Sequence, residues 1–150
     1  MKSAVSTSTS ASVGVLLARL AVGSTLAWAG TQKLLLIGMF SFVTANLHLL
    51  PHWMPTEVGR KYLIAVPIAE IALGALILAG CLTRFSGLLA SIMLASFAIA
   101  VTGFLSPNLK TAWLPLEPTT VYLVLAVGIF LMGPGRFSLD HAVRRNKAGA

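Results

Sequence analysis

Charged side chains are scarce in this chain. Asp, Glu, Lys and Arg make up 10% of its residues, whereas hydrophobic residues make up 57%. A water-soluble domain spreads charge over its whole exterior. Here uncharged apolar stretches of about 20 residues follow one another, each enough for a helix to cross the hydrocarbon layer. This shortage excludes a soluble enzyme or soluble binding domain and predicts an all-α integral membrane protein.

Cysteine is almost missing too, since Cys81 is the single cysteine of the sequence. One thiol excludes an intramolecular disulfide, a CxxC redox pair and a cysteine cage for a metal. The sequence also lacks the GxSxG, HExxH, Walker and dinucleotide-binding GxGxxG motifs. We therefore do not expect the reactions that those motifs perform in soluble enzymes.

The net charge is +7, but the basic residues do not indicate a nucleic-acid partner. They lie mostly between apolar runs or at the C-terminus rather than along a stripe interleaved with aromatic side chains. Basic residues in such places orient membrane spans and contact anionic lipid headgroups. The partner predicted from composition is therefore the lipid bilayer.

The apolar runs predict four transmembrane helices, packed as a four-helix bundle in residues 13–135. The predicted spans are Val13–Ile37, Tyr62–Cys81, Phe85–Leu105 and Leu114–Met132. Arg19 interrupts the apolar core that a cleaved signal peptide needs, so the first run is kept as a span. Only Leu82–Arg84 separates the second span from the third, which predicts a tight antiparallel hairpin. Gly133–Gly135 ends the last span, because glycine accepts a left-handed cap and proline cannot extend a helix.

The segments outside the spans have compositions of their own. Residues 1–12 are rich in Ser and Thr and predict a disordered tail. The link Gly38–Lys61 is still apolar and predicts an interfacial or re-entrant helix that ends at Pro51. Residues 136–150 predict a basic cytoplasmic tail, in which Ser138 caps a short helix on the anionic leaflet.

The distribution of Lys and Arg predicts the topology, since an even number of spans places both termini on one side. With the termini inside, the cytoplasmic side would hold Lys2, Arg84, Arg136, Arg144, Arg145 and Lys147, and the outside Lys33, Arg60, Lys61 and Lys110. Positive charge is enriched in cytoplasmic segments. We therefore expect a multi-pass protein of the bacterial plasma membrane with both termini in the cytoplasm.

Glu70 is the most informative residue, since it lies near the middle of the second predicted span. A charged side chain at that depth costs about 2.5–3.5 kcal/mol on insertion scales and normally faces the bundle interior with a partner. Arg19 in the first span lies within side-chain reach and is the predicted partner. It begins a helix face that continues through the small residues Gly23, Ala27 and Gly30 to Lys33. The pair is either a structural ion pair or a ligand or proton-relay site, and for Arg19 alone the alternative is snorkelling to the headgroups.

Two polar residues end the first span. Gln32 and Lys33 lie where a lysine ordinarily anchors a helix at the interface. The alternative is that they donate to a carbonyl or an anion bound at the periplasmic mouth of the bundle. Together with Arg19 and Glu70 they form the predicted intramembrane polar or ligand site, and the sequence assigns no catalytic residue.

His48 and His52 are four positions apart, a spacing that lets two imidazoles on one helix share a metal or face a haem. Pro51 interrupts a continuous helical turn between them, and Glu57 is the nearest candidate to complete a site. We therefore expect no metal site and interpret the segment as an interfacial loop around Trp53.

Three separated patches resemble the DoxX family of four-helix membrane proteins. They are Ala29–Leu34, then Glu70 with Gly74, Gly80, Thr83 and Arg84, and finally Gly133–Asp140, of which Gly133, Pro134, Gly135 and Arg136 form the core motif. The resemblance implies a four-helix bundle in the bacterial plasma membrane and kinship with the membrane subunit of thiosulfate:quinone oxidoreductase. It supplies no catalytic residues, and the disulfide chemistry of some distant relatives is not expected with one cysteine.

Three functional hypotheses remain open. The first is a quinone-linked redox subunit, in which a quinone lies between helices and Gln32, Lys33 or the Arg19–Glu70 pair donates to its ring oxygens. Such a subunit needs a protein partner to bring electrons. The second is a non-enzymatic anchor or assembly subunit, in which the polar residues only fix the helix register. The third is a small transporter, although the sequence shows no inverted repeat.

Overall fold

The computed structural model describes residues 9–51, 53–101 and 118–148. Every regular element in these ranges is helical, which confirms the predicted all-α class. The elements are α1 (Thr9–Thr31), a π-helical segment (Gln32–Gly38), α2 (Met39–Asn46), a 3₁₀ turn (Leu47–Leu49), α3 (Thr56–Ala79), α4 (Thr83–Val101), α5 (Pro118–Met132) and α6 (Leu139–Ala148).

Two stretches are long and apolar enough to cross a membrane. They are Ser10–Leu49, with a mean hydropathy of 1.5, and Thr56–Ala79, with a mean hydropathy of 2.2. Two shorter apolar helices, Thr83–Ile99 and Pro118–Met132, adjoin residues 102–117. The remaining parts of the third and fourth predicted spans lie outside the described residues. The four-span transmembrane bundle therefore stays a prediction.

The first two long helices begin earlier than hydropathy predicts. α1 begins at Thr9, inside the segment predicted as a tail, and Ser12 is buried. α3 begins at Thr56 rather than at Tyr62. Hydropathy marks the apolar part of a helix, whereas its ends are set by backbone hydrogen bonds and caps. Residues 1–8 of the predicted tail lie outside the described residues.

Glycines bring α1 and α3 into backbone contact in an antiparallel arrangement. A Cβ on Gly23 would lie 3.0 Å from the Gly74 carbonyl oxygen, and a Cβ on Gly74 would lie 2.6 Å from the Ala27 nitrogen. A Cβ on Gly30 would lie 2.5 Å from the Pro67 carbonyl oxygen. In lipid, helices associate through such close packing because there is little hydrophobic drive to bring them together. The small-residue face predicted on the first span is confirmed as the contact with α3.

One buried apolar cluster joins α1, α3, α4 and α5. Its residues come from each of these helices and are Val22, Leu26, Leu73, Ile77, Ala90, Leu94, Ala126 and Ile129. Gly87 draws α4 against α5, since a Cβ added there would lie 3.0 Å from the backbone nitrogen of Phe130. This core fixes the α1–α3 pair against the two remaining long helices.

The turn between α3 and α4 is a tight glycine-capped reversal. Gly80 adopts a left-handed conformation with φ of +67°. The N–H groups of Gly80 and Cys81 donate to the carbonyls of Ile77 and Leu76 at 3.2 and 3.1 Å, which is the Schellman pattern. α4 then begins at Thr83. The predicted hairpin is confirmed, with its turn slightly earlier than the sequence indicates.

The link after α1 starts with a change of helix type. Gln32–Gly38 forms π-helical turns, which are wider than α-helical turns and frequent at functional sites. Gly38 then breaks the helix with φ of +83°, a conformation that glycine adopts without strain. α2 and the 3₁₀ turn follow, and regular structure ends at Leu49. The predicted helix before Pro51 is confirmed, and its place at the membrane interface stays a prediction.

Candidate functional site

A buried ion pair joins α3 to the π-helical segment. Glu70 is 1% exposed, and its Oε1 accepts a hydrogen bond from Lys33 Nζ. Gly30 permits the pairing, because a Cβ there would lie 3.0 Å from the Glu70 Cβ and would push the helices apart. The Lys33 side chain is 20% exposed. The carboxylate is therefore buried beneath an ammonium group that can still be reached.

Two aromatic rings face the same ammonium group. Lys33 Nζ lies 5.4 Å from the centroid of the Phe42 ring on α2 and 5.5 Å from the centroid of the Phe97 ring on α4. A cation within about 6 Å of a ring centroid can be attracted by the ring quadrupole. One carboxylate and two rings thus surround Nζ. We call Glu70, Phe42 and Phe97 the ammonium box.

A cavity of about 470 Å³ opens beside the ammonium box. Lys33 is the charged residue of its lining, and the other walls are mostly apolar, among them Leu50, Trp53 and Val66. Cavities of this size with apolar walls and a few convergent polar groups are typical of small-molecule sites. The cavity can therefore hold an apolar ligand, and Lys33 Nζ can donate a hydrogen bond to it.

Tyr62 and Ser96 give the cavity wall a second polar position. Their hydroxyl oxygens lie 2.7 Å apart. Ser96 Oγ donates to the Met93 carbonyl at 2.6 Å, so its single proton is used and Tyr62 Oη is the donor between the two hydroxyls. Tyr62 Oη then keeps lone pairs as an acceptor. A ligand in the cavity can meet both a donor and an acceptor.

The second oxygen of Glu70 is not satisfied in the same way as the first. Oε2 is buried and has no hydrogen-bond partner among the described residues. Buried polar atoms are nearly always hydrogen-bonded, and each exception calls for an explanation. A buried ion pair contributes to stability only when its remaining lone pairs are also satisfied. The incomplete bonding of Glu70 favours a ligand site over a purely structural pair.

Arg19 lies elsewhere, and the predicted Arg19–Glu70 pair is wrong. Arg19 is 2% exposed, and its guanidinium donates to the carbonyls of Ile77 and Leu78 at 2.9 and 2.8 Å, and to the Phe137 carbonyl at 2.7 Å. The last carbonyls of a helix lack intrahelical donors and carry partial negative charge. They attract the guanidinium to the end of α3, away from the carboxylate. Arg19 is also buried in protein instead of reaching headgroups.

The glycine motif after α5 surrounds the same guanidinium. The Pro134 carbonyl accepts from Arg19 Nη1 at 3.4 Å, and Gly133 and Gly135 have φ of +78° and +63°. These left-handed positions turn the chain so that its carbonyls face the arginine. α5 ends directly before Gly133, as predicted. Arg136 is exposed, so the motif has a structural role at this end of the molecule.

Asp140 is a contact residue that the sequence prediction missed. Its carboxylate accepts from the Leu82 N–H at 2.9 Å, and from the N–H and hydroxyl of Thr83 at 2.8 and 2.9 Å. Its own N–H donates to the Gly80 carbonyl at 3.1 Å. An acidic group at a helix start satisfies free N–H groups and complements the dipole. Asp140 therefore caps α4 from α6, while Ser138 caps α6 itself by accepting from the His141 N–H, as predicted.

The structure describes three of the four remaining candidate residues. Gln32 is partly buried next to Lys33 at the start of the π-helical segment. His48 is exposed in the 3₁₀ turn, whereas His52 lies outside the described residues, so the two-histidine hypothesis is not tested. Cys81 is a free, partly buried cysteine in the α3–α4 turn.

The comparisons with known proteins indicate a membrane family. A family model described as methylamine utilisation protein MauE matches residues 11–112, more than half of the 150-residue chain. No curated protein and no solved structure matches. The match and the two apolar stretches together show a membrane-associated protein with two candidate helical spans.

The resemblance to the DoxX family is wrong, because the matching model belongs to a different membrane family. The residues that carried the resemblance have general physical roles. Gly80 and Gly133 form left-handed helix caps, and Gly74 lets two helices touch. Packed membrane helices of many families need glycine in such places. The implied kinship with thiosulfate:quinone oxidoreductase has no other support.

Proposed function

We propose a ligand-binding accessory role in a membrane for this chain, which belongs to the MauE family, described as methylamine utilisation proteins. The proposed ligand is an apolar molecule that carries a carbonyl or anionic oxygen. It lies in the cavity beside the ammonium box, and Lys33 Nζ donates to its oxygen. The observation that carries the proposal is Lys33, which lines this apolar cavity while its ammonium pairs with the buried Glu70.

The chemistry of the ammonium supports this role. An ammonium group has three N–H donors, and Lys33 Nζ donates one hydrogen bond, to Glu70, among the described residues. A donor in apolar surroundings forms a stronger hydrogen bond than one in water. Two donors directed towards an oxygen of the ligand would offset the cost of keeping a charge at this depth.

A quinone is one ligand of the proposed class, since it combines an apolar body with carbonyl oxygens. In that version the chain binds the quinone, and a protein partner holds the redox centre that exchanges electrons with it. The family name ties the proposed partner to a pathway that uses methylamine. The described residues supply the binding groups: Lys33 as donor and Tyr62 as acceptor.

The proposal includes the membrane arrangement. Four spans in the bacterial plasma membrane would place both termini in the cytoplasm, with Arg19 near the cytoplasmic face and Lys33 near the opposite one. The test is a set of reporter fusions that are active on only one side, joined after Lys61, after Arg84 and at the C-terminus. Activity on the cytoplasmic side after Arg84 and at the C-terminus, and on the outer side after Lys61, is the expected result.

The second candidate is an assembly subunit without a ligand. The Arg19 network favours it, because one side chain joins α1, the end of α3 and the segment before α6. A chain built around such a network could serve only to present a fixed surface to partner proteins. In that case the cavity beside Lys33 would hold no specific molecule.

The deciding experiment is extraction in mild detergent followed by analysis of small molecules that copurify. The wild type is compared with Lys33→Met, which keeps an unbranched side chain one atom shorter and removes the donor. Lys61→Met is the matched control, because Lys61 is exposed on α3 away from the cavity lining. A molecule with an oxygen acceptor that is retained by wild type and Lys61→Met, and lost from Lys33→Met, supports the proposal. Equal retention, or no specific molecule in any sample, contradicts it and favours the assembly role.

A further inference from the structure

The ammonium box has the composition of a site for organic ammonium ions. Glu70 supplies a negative charge, and Phe42 and Phe97 present rings at 5.4 and 5.5 Å from the cation. Aromatic faces together with a carboxylate are how proteins recognise ammonium ligands. The cation in the box in this structure is Lys33 Nζ, which is itself a primary alkylammonium on a flexible tether.

We propose that the ammonium box binds primary alkylammonium ions and that such an ion displaces the Lys33 ammonium from it. The proposal uses Glu70 and the two rings as the binding groups. It does not rest on the oxygen-bearing ligand proposed above, which needs Lys33 as a donor. The two ligands would compete, because one requires Lys33 beside Glu70 and the other requires Lys33 to leave.

The burial of the pair provides the route for this exchange. The Lys33 side chain is 20% exposed and the Glu70 side chain 2% exposed, so among the described residues of the pair the accessible position is the one that Lys33 now occupies. Lys33 also lines the cavity of about 470 Å³, which gives its side chain space to move into. The unpartnered Oε2 of Glu70 leaves the carboxylate with acceptor capacity beyond the one hydrogen bond it now receives.

The tether predicts the relative affinities. A group attached to the site competes at a high effective concentration, in the millimolar range for short flexible links. In the wild type a free ion must displace the tethered Lys33 ammonium from Glu70. The displaced ammonium then stays close to the bound ion, and the two positive charges repel each other. Removal of the lysine ammonium relieves both costs, so binding should become tighter.

The test is calorimetric titration of the purified full-length protein with propylammonium chloride. Lys33→Ala removes the lysine atoms from Cγ to Nζ, and propylammonium has the same carbon chain and charged end. We expect Lys33→Ala to bind it about ten-fold or more tightly than the wild type. Lys61→Ala is the matched control and should behave as the wild type. Propanol, which lacks the charge, and tetraethylammonium, which is too bulky for a site built for one Nζ, should not bind Lys33→Ala.

The role of the carboxylate is tested by adding Glu70→Gln to Lys33→Ala, which should abolish binding. Binding of Lys33→Ala that is no tighter than that of Lys61→Ala, or that persists in the double variant, overturns the proposal.

If Lys33→Ala does not fold, the wild type labelled with ¹⁵N-lysine decides. Propylammonium should then shift the Lys33 ammonium resonance and leave the Lys61 resonance unchanged, and an unshifted Lys33 resonance overturns the proposal. Loss of the copurifying molecule from Lys33→Met is a separate result, so the two proposals can fail independently.

Discussion

In the part of the chain that the structure describes, the buried Arg19 on α1 and the partly buried Lys33 just after α1 are bonded in opposite ways. The Arg19 guanidinium donates to four backbone carbonyls, two at the end of α3 and two in the segment between α5 and α6. The Lys33 ammonium donates to one carboxylate and borders a cavity. A network of several hydrogen bonds in packed surroundings specifies one structure, whereas a pair with more spare donors and acceptors can exchange partners. We refer to these regions as the Arg19 end and the Lys33 end.

The two residue types fit this difference. A guanidinium has five N–H donors in a rigid planar fork and suits a fixed set of oxygens, whereas an ammonium is a compact charge on a flexible stem. The absence of a side chain at Gly80 leaves space for the guanidinium, since a Cβ there would lie 2.2 Å from Arg19 Nη2. The Lys33 end has no such close backbone contact around Nζ, whose described neighbours are the side chains of the ammonium box. The comparison thus predicts large stability effects at one end and ligand effects at the other.

Arg19→Met should have the largest effect on stability. It leaves the buried carbonyl acceptor of Ile77 and the partly buried ones of Leu78 and Phe137 without their donor, and each buried unsatisfied group costs about 1–3 kcal/mol. We expect a loss of about 3 kcal/mol or more in the free energy of unfolding, measured by denaturation in mixed micelles. Arg19→Lys should recover only a small part, because one ammonium cannot reach the same set of oxygens. A loss below about 1 kcal/mol would mean that this end does not hold the fold together.

Gly80→Ala should come next, at about 2 kcal/mol. A non-glycine residue at φ of +67° is strained, by about 1–2 kcal/mol for a left-handed position, and the new methyl group would displace the Arg19 guanidinium. Gly14→Ala is the matched control, because an added Cβ there meets nothing within 4 Å. The control should be neutral or slightly stabilising, since alanine favours helix. Equal melting temperatures for the two variants in detergent would show that the Arg19 hydrogen bonds do not require glycine at position 80.

The helical class and the α1–α3 contact could be predicted from the sequence because both depend on local patterns. Apolar runs indicate helices, and the spacing of Gly23 and Gly30 marks one face of α1. The cap at Gly133 was predicted from residue type, whereas the second span was predicted to run to Cys81, past the cap at Gly80. The extent of the helices could not be predicted, because the polar first turns of α1 and α3 carry no hydropathy signal.

The partners of the charged residues could not be predicted, because depth in the membrane does not determine which groups meet. Arg19 on α1 and Lys33 on the π-helical segment after it both contact α3, the helix of Glu70, and side-chain reach alone did not distinguish them. The helix-end carbonyls that attract Arg19 belong to every helix and have no residue signature. Asp140 is similarly hidden, since it caps a residue 57 positions away. In the sequence, Phe42 and Phe97 do not differ from other aromatic residues of apolar segments, so their contact with Lys33 could not be predicted.

Asp140→Ala tests the contact between α6 and the start of α4. It should lower the free energy of unfolding by about 1 kcal/mol, the usual value for a lost helix cap. The N–H groups of Leu82 and Thr83 would lose their acceptor at the start of α4. Asp140→Asn keeps one oxygen acceptor and should retain most of the stability. Hydrogen exchange of the Thr83 amide is the local measurement, and it should become faster in Asp140→Ala. Unchanged exchange would assign the cap no role in holding α6 to the hairpin.

The smallest effect on stability should come from replacing both members of the pair at the Lys33 end, as Lys33→Met with Glu70→Leu. Apolar residues of similar volume in place of a buried ion pair are often neutral or stabilising, because neither charge then has to be desolvated. We expect a change within about 1 kcal/mol, even though Glu70→Leu alone, which leaves Lys33 unpaired, should be less stable than the double variant. The same double variant should lose all binding at the cavity, both of the copurifying molecule and of propylammonium. Retained stability with lost binding is the pattern of a site that the fold supports but does not need. A double variant as unstable as Arg19→Met would instead place both cations in the same structural role and remove the basis for a ligand at the Lys33 end.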